Sequence, residues 1–275
     1  MADLLKVACV QMSSGPVMDE NFKAAEKMIR AAAADGCSFI ATPENTCHMS
    51  FPLSERLKTA QSSETHPGIP FFSQLAQELR VWVLIGSMAV KISDNKLLNR
   101  SFLFSDSGDL VAMYDKIHLF DVKLADGEAY RESDIMVPGG RAVVADMDGV
   151  NVGLSICYDV RFAALYRDLA KMRAQILAVP AAFTVPTGQA HWEVLLRARA
   201  IETGSFVMAP GQTGEHAGGR KTYGHSMIIG PWGDILAQAG EDVGYITAEL
   251  DLENVIKART AIPALKHDRE YEVDR

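Results

Sequence analysis

The sequence has only four cysteines in 275 residues, Cys9, Cys37, Cys47 and Cys157, and no two are spaced C-x-x-C. That spacing argues against a zinc ribbon and against a thioredoxin-type redox motif. So few cysteines in so long a chain fit a reducing compartment, and a cytoplasmic protein is the starting expectation. No apolar run approaches the roughly 18 residues that a membrane-spanning helix needs. The first residues run straight into strand-like sequence, without the basic segment and cleavage site of a secretory leader. Positive charge is in deficit. There are 27 Lys and Arg against 35 Asp and Glu, a formal net charge of −8, and no basic cluster that would grip nucleic acid. Low-complexity linkers and a solenoid-type repeat are missing as well.

What remains is ordinary globular sequence. Hydrophobic residues make up 48% of the chain, with 21 Gly and 11 Pro, which excludes a disordered class. No domain break is visible, so residues 1–275 read as a single domain, with a charged tail or intersubunit arm from about residue 264. Leu4 to Gln11 reads as a strand, Asp19 to Ala34 as a helix capped by Asp19, and Ser38 to Thr42 as a second, parallel strand. Residues 51–66 read as an irregular insertion, Pro70 to Leu79 as a helix, and Val81 to Val90 as a core strand. Hairpins are expected around residues 105–109, at Asp148-Gly149 and at Pro231-Trp232-Gly233, with strands over 223–229 and 234–239 beside the last. Strands alternate with helices in both halves. The class is therefore α/β, with two mixed sheets facing each other and helices outside.

Residues 150–161 are the stretch around which the chain is organised. Val150 to Ile156 is a short β-branched run, Cys157 ends it, and an apolar pattern of helical spacing follows. A thiol at a helix start is expected to have a lowered pKa, which suits a nucleophile. The alternative at this point is a buried structural thiol, because free cysteine is among the most buried residue types. Two other ionisable residues stand at predicted strand ends, Glu44 in Pro43-Glu44 and Lys116 after the second hairpin strand. Ligands of α/β sheets bind at the carboxyl ends of strands. The three side chains would thus form one set of nucleophile, base and cation. A Cys–His pair would need His118, His191 or His225 near Cys157, and each reads more simply as a hydrogen-bonded structural histidine. Arg161 is expected in a structural ion pair.

The segments Pro43-Glu44, Asp115-Lys116-Ile117-His118-Leu119-Phe120 and Gly153-Leu154-Ser155-Ile156-Cys157-Tyr158-Asp159 resemble the three signatures of the nitrilase superfamily. His191-Trp192-Glu193, the run Arg197 to Glu202 and Tyr223-Gly224-His225-Ser226 are similar to its amidase branch, which contains ω-amidase and deaminated-glutathione amidase. The resemblance covers roughly residues 4–265. It implies a four-layer αββα sandwich, a homodimer or larger homo-oligomer, and neither a metal nor an organic cofactor. It implies Cys157 as nucleophile, Glu44 as general base, Lys116 as the cation beside the oxyanion, and Glu132 as a second glutamate, with Glu128 as the fallback. The reaction implied is hydrolysis of a small carboxylate-bearing amide through a thioester with release of ammonia. Deaminated glutathione is favoured over α-ketoglutaramate, a nitrile or an N-carbamoyl compound. Tyr158 and Phe183 are the expected walls of the substrate pocket. A non-catalytic binding protein on the same fold is the reading from a different class.

Overall fold

Alternation along the first strand decides the layering. In Leu5–Gln11, Val7 and Cys9 face one buried cluster, while Ala8 and Val10 face another. Period-two burial on both faces means that the strand is covered on both sides. The computed structural model describes residues 4–123 and 129–274 and shows what covers it. On one side lie the helices Met18–Ala34 and Gly68–Leu79, through Phe22, Ala25, Met28, Ile29, Phe72 and Leu75. On the other side lies a second sheet.

Each of these two sheets has six strands among the described residues. The first runs in the order Gly244–Leu250, Leu5–Gln11, Phe39–Ala41, Trp82–Ser93, Lys96–Phe104, Leu110–Asp115. The second runs Ile235–Gln238, Met227–Ile229, Phe206–Ala209, Ile176–Ala178, Val150–Leu154, Val143–Met147. In both, three central strands are parallel and the flanking ones antiparallel. The helices Ala163–Lys171 and Val185–Thr203 cover the outer face of the second sheet with Leu165, Tyr166, Leu169, Trp192 and Leu196. The layers are therefore helix, sheet, sheet, helix, as expected.

Several local readings change. The helix that was to be capped by Asp19 starts at Met18 behind Val17, with no side-chain cap; Asp19 instead lies in the first turn, where its charge suits the helix dipole. The long helix Val185–Thr203 takes Pro186 in its first turn, where proline fits. The run 223–229 is not one strand. It divides into Lys221–Tyr223 and Met227–Ile229, in different sheets, with Gly224 (φ 67°) and His225 (φ 53°) in the left-handed region between them. Residues 51–66 hold one short helix, Glu55–Thr59. The tail turns back onto the molecule, where Asp268 pairs with Arg167 and Lys171.

Candidate active site

Three strand ends deliver the ionisable side chains. Glu44 stands three residues beyond Phe39–Ala41, Lys116 directly after Leu110–Asp115, and Cys157 three residues beyond Val150–Leu154. Two glycines permit the approach. A Cβ at Gly86 would lie 2.1 Å from the Thr42 carbonyl oxygen and 2.6 Å from that of Pro43, so only glycine lets the segment leading to Glu44 pass. A Cβ at Gly139 would lie 2.1 Å from the Asp115 carbonyl oxygen, and the Gly139 N–H donates to the Lys116 carbonyl at 2.8 Å.

Lys116 is the centre of the cluster. Its Nζ lies 2.9 Å from Glu44 Oε1 and 2.9 Å from Glu132 Oε2, and all three side chains are buried. Asn99 Nδ2 donates to Glu44 at 2.9 Å and to Glu132 at 3.2 Å, bridging the two carboxylates. The Ala182 N–H donates to Glu44 Oε2 at 3.0 Å, and the Phe120 N–H to Glu132 Oε2 at 2.7 Å. Two carboxylates so close repel unless a cation and neutral donors hold them. Glu132 sits in the short 3₁₀ turn Glu132–Asp134, and Glu128 lies outside the described residues.

The Cys157 thiol and the Glu44 carboxylate line the same pocket. Cys157 occupies the left-handed region at φ 51°, where a non-glycine residue is strained by about 1–3 kcal/mol. The Cys157 N–H donates to the Pro180 carbonyl at 2.8 Å, which fixes this conformation. The thiol pKa departs from the expectation. Burial pushes it well above the usual thiol value, the Glu44 charge adds to that, and Lys116 with the Ala182 backbone only partly opposes it. The predicted helix N-terminus is not there to help. Cys157–Arg161 is a 3₁₀ turn, and the α-helix starts six residues on, at Ala163. For Glu44, burial acts upward, but the Lys116 ammonium and its hydrogen bond outweigh it, so the carboxyl sits below its ordinary value. Burial works against the Lys116 cation, but Glu132 and Glu44 more than compensate, and its pKa rises. At neutral pH the cluster holds a neutral thiol beside an ionised carboxylate.

A narrow pocket opens over Cys157. Tyr158 and Phe183 line it as expected, together with Phe120, Tyr130, Thr184, Arg56 and Arg220. None of the seven histidines does. His118 Nδ1 lies 2.7 Å from Asp159, and the ring stacks on Phe162 at 3.5 Å. Arg161 forms no ion pair among the described residues; its guanidinium lies against the Tyr158 and Phe183 rings, because the surface it covers is aromatic rather than acidic. No His/Cys/Asp/Glu group suited to a metal occurs among the described residues, and no helix there is long and apolar enough to cross a membrane.

Residues 6–260 match the carbon–nitrogen hydrolase family. The chain belongs to that family. As a carbon–nitrogen hydrolase it is 42% identical over 265 residues to a Synechocystis protein named deaminated glutathione amidase, covering 94% of this chain and 96% of that one. The crystal structure of the C. elegans NitFhit protein superposes with a TM-score of 0.90 at 35% identity, over 97% of this chain and 65% of that one. Yeast Nit3, a member of branch 10 of the nitrilase superfamily, superposes with a TM-score of 0.85 at 29% identity, over 94% of both chains.

Four further residues of the candidate site have no assigned role in the sequence motifs. Asn99 sits mid-strand in Lys96–Phe104, and only its burial at a polar position hints at a partner. Asp159 is fully buried and accepts from the Ile156 and His118 backbone N–H groups and the Tyr114 hydroxyl. It thereby joins the lysine loop to the cysteine loop. Arg56 and Arg220 come from segments that look like plain loop in the sequence.

Proposed function

We propose that the chain is an amidase that hydrolyses deaminated glutathione through a Cys157 thioester. The single observation that carries the chemistry is Lys116 clamped at 2.9 Å to both Glu44 and Glu132 beside the Cys157 thiol. The substrate comes from the Synechocystis relative, which is 42% identical and bears that name.

In this reading the thiol is not ionised in advance. Glu44 takes the Cys157 proton as sulfur attacks the amide carbon, so charge builds only in the transition state. Lys116 and the Tyr158 N–H hold the oxyanion, and one such donor typically lowers the barrier by roughly 3–4 kcal/mol. Glu44 then passes its proton to the departing nitrogen, and the C–N bond breaks to leave the thioester. Water attacks next, Glu44 accepts its proton, and the carbon–sulfur bond opens to return acid and thiol. Glu132 keeps Lys116 aimed. Ammonia leaves from a primary amide, whereas the peptide-type amide of deaminated glutathione releases an amine. Burial of all four cysteines as free thiols suits a cytoplasmic enzyme, and a homodimer is the assembly expected by resemblance.

The test is product release from deaminated glutathione, α-ketoglutaramate, simple aliphatic amides, N-carbamoyl amino acids and nitriles, with intact-mass spectra during turnover. The reading expects deaminated glutathione to give the highest kcat/KM and an acyl adduct on Cys157 that is absent from Cys157→Ala. Turnover that survives Cys157→Ala sinks it.

A further inference from the structure

We propose that Arg56 and Arg220 form a subsite for the carboxylate on the acyl side of the substrate. The inference rests on the amidase reading and adds to it the residues that select an acid. Both arginines line the Cys157 pocket. Neither has an acidic partner among the described residues. Arg56 Nη1 donates to Asn45 Oδ1 at 2.6 Å and Arg220 Nη2 to the Ala182 carbonyl at 2.7 Å, while both Nε–H groups are buried without a partner. A buried donor left unpaired is costly, and a guanidinium fork fits a carboxylate.

The two cations share one aromatic wall. Phe51 lies 5.5 Å from the Arg56 guanidinium and 4.9 Å from that of Arg220, and Tyr130 lies 4.7 Å from Arg220. They are close enough for Arg220 to disfavour the charge on Arg56. Arg56, 3% exposed, is held down to about 10, first by burial and then by Arg220. Like charges held together in one pocket are stabilised by an anion between them. The charge balance agrees. Glu44 and Glu132 set against Lys116, Arg56 and Arg220 leave the pocket with one net positive charge, inside a chain of net charge −8.

Position selects which carboxylate. The Ala182 carbonyl that takes Arg220 belongs to the residue whose N–H donates to Glu44. Arg220 is thus one residue's length from the chemistry, and its charge reaches Glu44. An acid group a short chain away from the scissile carbonyl, on the part that stays as the thioester, meets it there. Gly218 makes the loop possible. Its φ is 92°, and a Cβ would come 2.4 Å from the Phe51 carbonyl oxygen, so the loop carrying Arg220 packs onto Phe51.

The experiment is calorimetric titration of the Cys157→Ala protein, which does not consume its ligand, with glutaramate and with its chain-matched neutral counterpart pentanamide. The subsite expects glutaramate to bind at least about 30-fold more tightly, the size of a charge-assisted pair of hydrogen bonds. Adding Arg56→Gln or Arg220→Gln removes that preference, and the lysine replacements keep part of it. Equal affinity for the two amides, or no binding of either, overturns the subsite; the first comparison needs no arginine variant and so is independent of folding defects. Deaminated glutathione left intact by the wild-type enzyme, with the glutaramate preference present, overturns the proposed reaction and leaves the subsite standing.

Discussion

The Tyr114 hydroxyl donates to Asp159 Oδ2 at 2.7 Å, with both side chains buried. One residue after Tyr114 the strand ends and Lys116 follows; two residues before Asp159 stands Cys157. This hydrogen bond, with those from His118 to the same carboxylate, ties the segment carrying Lys116 to the segment carrying Cys157. Tyr114→Phe keeps the ring and removes this bond. The expected loss is about 1–2 kcal/mol of stability, because Asp159 retains its other donors. The catalytic consequence is a roughly tenfold fall in kcat with KM held, since misplacing a reacting group costs rate before it costs affinity. Steady-state kinetics beside urea unfolding separates the two. An unchanged kcat with reduced stability would make Asp159 a purely structural tie.

Glu132 holds Lys116 at 2.9 Å, as Glu44 does. Glu132→Gln removes that anion while an amide oxygen can still accept the Phe120 N–H. Lys116 is then pulled wholly toward Glu44, which becomes a weaker base. A fall in kcat of roughly 10²-fold is expected, the scale of a general-base contribution, with the circular dichroism spectrum unchanged. A variant as active as the wild type would confine Glu132 to a packing role.

The sequence motifs carried Glu44, Lys116 and Cys157 because each follows a strand whose apolar run is readable, and strand ends converge in such sheets. Layering was legible for the same reason, since Val7 and Ala8 are both apolar and a strand apolar on both faces must be covered twice. What stayed hidden depends on contacts remote in sequence. Asn99 is 55 residues from Glu44, and nothing local in Leu97 to Phe104 marks it. The thiol pKa was read in the wrong direction because a 3₁₀ turn and an α-helix start look alike in Cys157 to Arg161, while desolvation depends on the whole fold. Gly139 is needed for close approach to Asp115, and that contact depends on residues remote in sequence.

The pH dependence follows from the direction of the Glu44 shift. Burial acts upward on this carboxyl, but Lys116 and the hydrogen bonds prevail, and the folded-state value lies below 4.5. A carboxyl depressed by folding contributes its stability above its unfolded pKa and loses it as the pH falls through the folded one. The charged base follows the same titration. The acid limb of kcat/KM in the free enzyme should therefore begin below pH 4.5. A pH–rate profile with a limb near about pH 6 would place the base on a histidine-like group instead.

Gly86 tests whether the backbone approach behind Glu44 is obligatory. Its missing Cβ would sit 2.1 Å from the Thr42 carbonyl oxygen, 2.6 Å from that of Pro43 and 2.4 Å from Pro180 Cβ. None of these is the far end of a flexible side chain. Gly86→Ala must therefore push the strand Trp82–Ser93 away from the segment carrying Glu44, or push Pro180 away from Cys157, whose N–H bonds the Pro180 carbonyl. Overpacking of this kind costs about 1–3 kcal/mol. Because both displaced segments carry groups of the site, activity should fall by more than stability does. Chemical denaturation gives the first quantity and single-turnover acylation of Cys157 the second. Full acylation in a destabilised Gly86→Ala protein would show that the site tolerates the shift and that the close approach serves packing alone.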